Sequence, residues 1–141
     1  MRLVKDTNVF VAALRSGSGA SRELLRQLAL GRHSPLMGDK LWYEYLDVVG
    51  RDGDLWANCG LSKARRRQAV EDFASLCEYV RVTRIWRPNL PDEGDNHIME
   101  LAIVGKASSL VTFNTKDFLH ALFAPPALEV LTPGQFIENY P

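Results

Sequence analysis

The chain has 141 residues, 46% apolar and 24% charged, and its 17 basic and 17 acidic side chains balance to a formal net charge of zero. That composition fits one globular domain over residues 1–141 and excludes a disordered tail protein. It also supplies no bulk charge for a polyanion or a membrane, so such a partner has to be held by local basic patches or through metal ions.

Only Cys59 and Cys77 are present, without CxxC or zinc-finger spacing, which reads as reduced structural thiols. No apolar run approaches the roughly 18–20 residues of a membrane span, and the N-terminus lacks a signal-peptide pattern. The expected location is the cytoplasm.

The first expected strand, Arg2 to Lys5, ends on Asp6 and turns directly into an apolar helical run, Val9 to Leu14. Arg15-Ser16-Gly17-Ser18-Gly19 breaks that run, and Ser18 or Ser21 can cap a second helix carrying Leu24, Leu25, Leu28 and Ala29 at helical spacing. Ser34 to Met37 is the next strand. Gly38-Asp39 then reads as a turn and N-cap for a helix, Lys40 to Val49, with Glu44 one turn in. Strand, turn and helical acid thus repeat the arrangement around Asp6.

Ser62 can cap a long helix, Lys63 to Tyr79, whose buried stripe is Val70, Phe73, Ala74 and Cys77. The β-branched alternation of Val80 to Ile85 predicts a third strand at or near a sheet edge. After Arg87 to Pro91, Asp95 opens a helical run with Ile98, Leu101 and Ala102; an Asp there can also be a simple N-cap. Ser108 to Thr112 is a fourth strand, followed by a polar turn with Asn114 and Asp117. Leu128 to Leu131 is the last strand, and Thr132-Pro133 opens a closing helix.

This alternation predicts an α/β fold with a mainly parallel sheet covered on both faces. In such sheets the residues after each strand converge on one edge, so Asp6, Glu44, Asp95 and the Asn114/Asp117 turn are expected to share a pocket. Carboxylates forced together repel unless a cation intervenes. Oxygen ligands without His or Cys suit Mg²⁺ or Mn²⁺, and such a pocket suits attack of water on a phosphodiester.

Four stretches in order carry a family resemblance: the strand ending in Asp6-Thr7-Asn8-Val9, Leu41-Trp42-Tyr43-Glu44-Tyr45, Asp92-Glu93-Gly94-Asp95-Asn96-His97-Ile98, and Leu110-Val111-Thr112-Phe113-Asn114-Thr115-Lys116-Asp117-Phe118. Together they resemble the PIN-domain nucleases, most of all the compact toxin components of prokaryotic toxin–antitoxin pairs. The resemblance implies a PIN-like, flavodoxin/Rossmann-like three-layer α/β/α fold with about five strands, and a metal-dependent ribonuclease. It implies Asp6, Glu44 and Asp95 as ligands of Mg²⁺ or Mn²⁺, with Asp117 completing the catalytic acids. Asn8, Thr112 and Asn114 would orient or supplement these acids, and Asp92 could reach the metal through water. It further implies an RNA substrate, a homodimer and a small antitoxin protein, with no membrane role. Arg15, Arg22 and the cluster Arg65, Arg66 and Arg67 are the candidate RNA contacts, the cluster also reading as a solvated face. Trp42, Tyr43, Tyr45 and Trp56 offer either a partner surface or core packing.

The chain departs from the family pattern twice. Lys5 stands where an apolar residue is usual, and is expected to snorkel or to pair with an acid. Asn114 stands where many relatives have Asp. Both leave room for a second reading, a PIN-fold interaction module with a weakened or inactive metal site. A haloacid-dehalogenase-like phosphatase is disfavoured by Asn8 in place of a second Asp, and a receiver domain lacks its paired acids.

Overall fold

The computed structural model describes residues 1–83, 87 and 89–141. Five strands, β1 (Arg2–Lys5), β2 (Ser34–Met37), β3 (Glu78–Tyr79), β4 (Ser109–Val111) and β5 (Glu129–Leu131), form one sheet in the order β3-β2-β1-β4-β5, and every pairing is parallel. Parallel neighbours need crossovers, and helices supply them: α1 (Thr7–Arg15), α2 (Ala20–Ala29), α3 (Asp39–Val49), α4 (Lys63–Leu76), α5 (Asn96–Val104) and α6 (Thr115–Leu119), with α7 (Pro133–Asn139) following the last strand. The three-layer α/β/α architecture expected from the alternation is what forms.

The core lies on both faces of β1 and β4, where Leu3, Val4, Leu110 and Val111 are fully buried. Phe10 of α1, Tyr45 of α3 and Phe73 of α4 cover one face as a ring cluster, with Phe10 and Tyr45 stacked at 4.7 Å. On another part of the sheet α5 approaches closely enough that a Cβ on Gly105 would lie 2.4 Å from Leu36 Cδ1, so only glycine fits without a shift. Two helix starts follow their local cap signals, whereas α3 is capped by Gly38 without a side-chain bond and the expected cap Asp39 lies inside the helix. The Ser62 hydroxyl accepts from Arg65 N, and Thr132 with Gln135 forms a capping box ahead of Pro133.

The third strand is where the sequence reading fails. Helix α4 stops at Leu76, and the strand is Glu78–Tyr79, not Val80 to Ile85. Val80 to Thr83 form no strand, and Arg84 and Ile85 lie outside the described residues. Edge position is as expected. The limit is set by the neighbour: β2 ends at Met37, whose carbonyl takes Val80 N at 2.8 Å, and Gly38 then leaves the sheet for α3. Beyond that bond Arg81 to Thr83 pair with no strand among the described residues, and propensity alone does not make one. Ser18 and Ser21 do not cap α2 either; Gly19 occupies the N-cap at φ 98° without a side-chain bond.

Lys5 departs furthest from expectation. Among the described residues it neither snorkels nor meets an acid: its side chain is 1% exposed, and Nζ has no hydrogen-bond partner there. Nζ lies 3.7 Å from the centroid of Phe73 and 4.7 Å from that of Phe10. Burial lowers its pKa to about 7, with the nearby Cys77 acting weakly the other way. Cys77 caps the end of α4 and packs against the core, its thiol pushed up to about 12 by burial. Of the four candidate partner-surface aromatics, Tyr45 and Trp56 are core residues and Tyr43 is exposed.

Candidate active site

The strand order reverses direction between β1 and β4, and at the carboxyl end of such a junction the two following loops part and leave a crevice. An open cleft of about 520 Å³ lies there, lined by Asp6, Asn8, Glu44, Asp95 and Asn114 among others. Sequence reading expected these groups at one edge, and the fold brings them together.

Asp6 follows β1 and Thr112 follows β4, and because those strands are neighbours the Thr112 hydroxyl donates to Asp6 Oδ2 at 2.7 Å. Thr7 N donates to Asp6 Oδ1 at 2.7 Å, so the same carboxylate also caps α1. Both oxygens of this nearly buried acid therefore have fixed donors. Burial still raises its pKa above the usual carboxylate range, with the Thr112 and Thr7 hydrogen bonds opposing that rise.

Glu44, on the first turns of α3, accepts from the Thr7 hydroxyl at 2.7 Å and lies 2.5 Å from His97 Nε2. Burial pushes its carboxyl upwards, but the His97 and Thr7 hydrogen bonds outweigh that and hold it below its usual value. The sequence reading assigned no role to His97. Its partner is 53 positions away in the chain, and only the packing of α3 beside α5 brings them together. The one available signal was its place two residues after Asp95.

Asp95 stands at the N-cap of α5, yet its side chain makes no capping hydrogen bond. The simple structural job of an Asp at that position is left undone, and the carboxylate lines the cleft instead. Its pKa is pushed up to about 6, first by burial and then by the charges of Asp6, Asp92, Asp117 and Glu44. Asp92 is otherwise engaged, accepting from Gly94 N at 2.8 Å. Asp117 is exposed on α6, while Asn114 and Phe113 take the lining positions after β4. Thr112 Oγ1 accepts from Asn114 N at 3.0 Å, which closes that turn.

The donor set fits a hard divalent cation. The available groups are carboxylate and amide oxygens, and the repulsion that raises Asp95 is what a cation would relieve. Asn8 Oδ1, also at the cleft, is a buried acceptor without a hydrogen-bond partner among the described residues. Among the described residues, no group of three His, Cys, Asp or Glu side chains is arranged to hold a metal ion, and Glu44 is turned to Thr7 and His97.

The proposed RNA contacts separate. Arg15 is exposed at the cleft, and Arg22, also exposed, donates to Ala13 O at 3.1 Å. Arg65 is exposed and Arg67 pairs with Glu71. Arg66 corrects the reading of a basic surface cluster: it is buried, stacks over Trp56, and donates to the carbonyls of Val49, Leu61 and Arg51. A second cavity, of about 320 Å³, adjoins His97 from Gly38, Lys40 and Arg81, and none of Asp6, Glu44 or Asp95 lines it.

A family model described as PIN domain matches residues 2–116. The chain belongs to the PIN-domain family. No curated protein sequence matches it. Among solved structures it is similar to a chain of VapBC2 from Rickettsia felis, crystallised bound to a DNA fragment from their promoter. That likeness has a TM-score of 0.63 at 19% identity and covers 92% of this chain and 97% of the other, so it supports the PIN fold. Members of the family are generally nucleases. No helix among the described residues is long and apolar enough to cross a membrane.

Proposed function

We propose that this PIN-domain protein is a Mg²⁺- or Mn²⁺-dependent endoribonuclease and the toxin of a type II toxin–antitoxin pair. The observation that carries the reading is Asp95: a helix-start acid that leaves its capping bond unmade and faces the cleft with Asp6 and Glu44. Asp6, Asp95 and Glu44 would hold the ion, with Asp117 adding negative charge from the rim. When bound, the ion would lower the pKa of a water nucleophile and offset the charge that builds on the phosphate. Thr112 and Thr7 fix the Asp6 carboxylate before any ligand arrives, so little reorganisation is left for binding. His97 and Thr7 do the same for Glu44. Asn8 and Asn114 would contribute neutral oxygens at the edge, and Asp92, whose charge acts on Asp95, would reach the ion through water.

Arg15 is placed to meet a phosphate of the RNA backbone, with Arg22, Arg65 and Arg67 as more distant contacts; such contacts weaken with salt. The structural likeness to a VapBC2 chain supports a small antitoxin as partner, and a homodimer and a cytoplasmic location accord with that reading. Asn114, in place of an acid at the lining position, favours the second reading, an interaction module without catalysis.

RNA cleavage by purified protein with Mn²⁺, with Mg²⁺ and with EDTA separates the two. The nuclease reading expects metal-dependent cleavage that Asp6→Asn and Asp95→Asn each reduce by at least about 100-fold without loss of fold. Equal cleavage by wild type and both variants contradicts a site at Asp6 and Asp95, and no cleavage by any of the three supports the module.

A further inference from the structure

The cleft has a second character besides its acids. Val11, Ala12, Val48 and Leu55 line it together with Phe113, so an apolar surface continues directly from the acidic edge. Phe113 is 50% exposed, whereas Phe118 in the helix that follows is 1% exposed and belongs to the core. Solvent therefore reaches a large aromatic ring inside a cleft whose other wall carries carboxylates. A backbone phosphate gains nothing from such a wall. A flat uncharged ring does.

The placement of Phe113 is also tied to the site. Thr112, before it, donates to Asp6 Oδ2, and the same hydroxyl accepts from Asn114 N, after it. Thr112 N is in turn held by Leu131 O at 2.9 Å, from the neighbouring strand β5. The residue carrying the ring is thus clamped on both sides by one hydroxyl that also positions a proposed ligand carboxylate. A Phe side chain has two torsions to restrict, so presenting it this way costs little entropy on binding.

We propose that Phe113 and the apolar wall of Val11, Val48 and Leu55 form a nucleobase subsite, where a base beside the scissile phosphate stacks on the Phe113 ring. The inference rests on the nuclease reading and adds a positioning residue to it. Stacking occupies a face that duplex neighbours otherwise cover, so the base has to be unpaired. Arg15, also at the cleft, is left to meet the phosphate attached to that base.

The test uses single-stranded RNA oligonucleotides whose cleavage position is mapped with the wild-type protein and Mn²⁺. Phe113→Ala is expected to weaken binding or raise KM about 10- to 100-fold while thermal midpoint and Mn²⁺ affinity stay unchanged, and Phe113→Trp to restore it. An abasic residue beside the cleavage position should cost the wild type a similar factor and cost Phe113→Ala nothing further. Fluorescence anisotropy in an Asp95→Asn background gives the same comparison without turnover. Equal binding by the wild type and Phe113→Ala, or equal abasic penalties in both, overturns the subsite. Phe113-dependent binding by a wild type that never cuts overturns the nuclease reading alone, and absence of RNA binding overturns both.

Discussion

Lys5 and Asp6 are chain neighbours that are both nearly inaccessible to water, yet they meet burial in opposite ways. Asp6 has a donor on each carboxylate oxygen, from Thr112 and from the backbone of Thr7. Among the described residues Lys5 has only the faces of Phe73 and Phe10. Alternation along a strand sends consecutive side chains to opposite sides, and here one side ends at a polar crevice while the other is an apolar helix layer. The comparison separates function from tolerance. A buried acid with arranged partners is held in a fixed place at the cleft, whereas a buried cation without them is a cost that the fold carries.

Lys5→Met should break the comparison most visibly. Burial lowers the Lys5 pKa from 10.5 to about 7, so holding an amine there costs the folded chain on the order of a few kcal/mol at neutral pH. Denaturant unfolding at pH 7 is therefore expected to show Lys5→Met more stable by about 1–4 kcal/mol. The pH dependence carries the sign. Between about pH 7 and 10.5 the unfolded chain holds a proton on Lys5 that the folded chain has released, so wild-type stability rises across that window. The variant should lack that rise.

Arg66 sharpens the same point, because it is a buried cation with partners. Its guanidinium satisfies three backbone carbonyls, so Arg66→Met should destabilise by about 2–3 kcal/mol, opposite in sign to Lys5→Met. Chemical denaturation of both variants side by side checks the contrast; a stabilising Arg66→Met would break it. A smaller effect is expected at Thr112. Thr112→Val removes the donor from Asp6 while keeping shape, and should weaken Mn²⁺ binding about 10-fold by calorimetry, with the fold retained.

Asp95 supplies the opposite pH slope. Its carboxyl titrates at about 6 in the folded chain against 3.8 as the ordinary value, so the folded state binds the extra proton between those limits. Metal-free stability from this group falls as pH rises from about 4 to about 6. Asp95→Asn should remove that fall in thermal unfolding scans, and a wild-type curve of identical slope would argue against crowding of the acids.

Much of this was legible in the sequence because it is local. A strand ending on Asp6, a helix acid at Glu44 and a capping-position acid at Asp95 each show as short patterns, and alternating strands and helices bring them to one edge. What was not legible depends on distant chain segments. The His97–Glu44 pair needs α3 and α5 side by side, and nothing near either residue announces it. The end of β3 is set by where β2 departs, so the β-branched run after Tyr79 misleads. Arg66 shares its basic run with exposed neighbours, and only the carbonyls at the end of α3 and in the loop after it reveal its structural role. Lys5 is the reverse case: its oddity was plain in the sequence, but an aromatic pocket was not among the expected solutions.

The central claim is that the edge carrying Asp6, Glu44 and Asp95 is built for a divalent cation, and calorimetric titration of Mn²⁺ into metal-free protein tests it most directly. The account predicts saturable binding by the wild type that Asp6→Asn and Asp95→Asn each abolish while their unfolding transitions remain cooperative. Equal Mn²⁺ binding by the wild type and both variants, or none by the folded wild type, would contradict it.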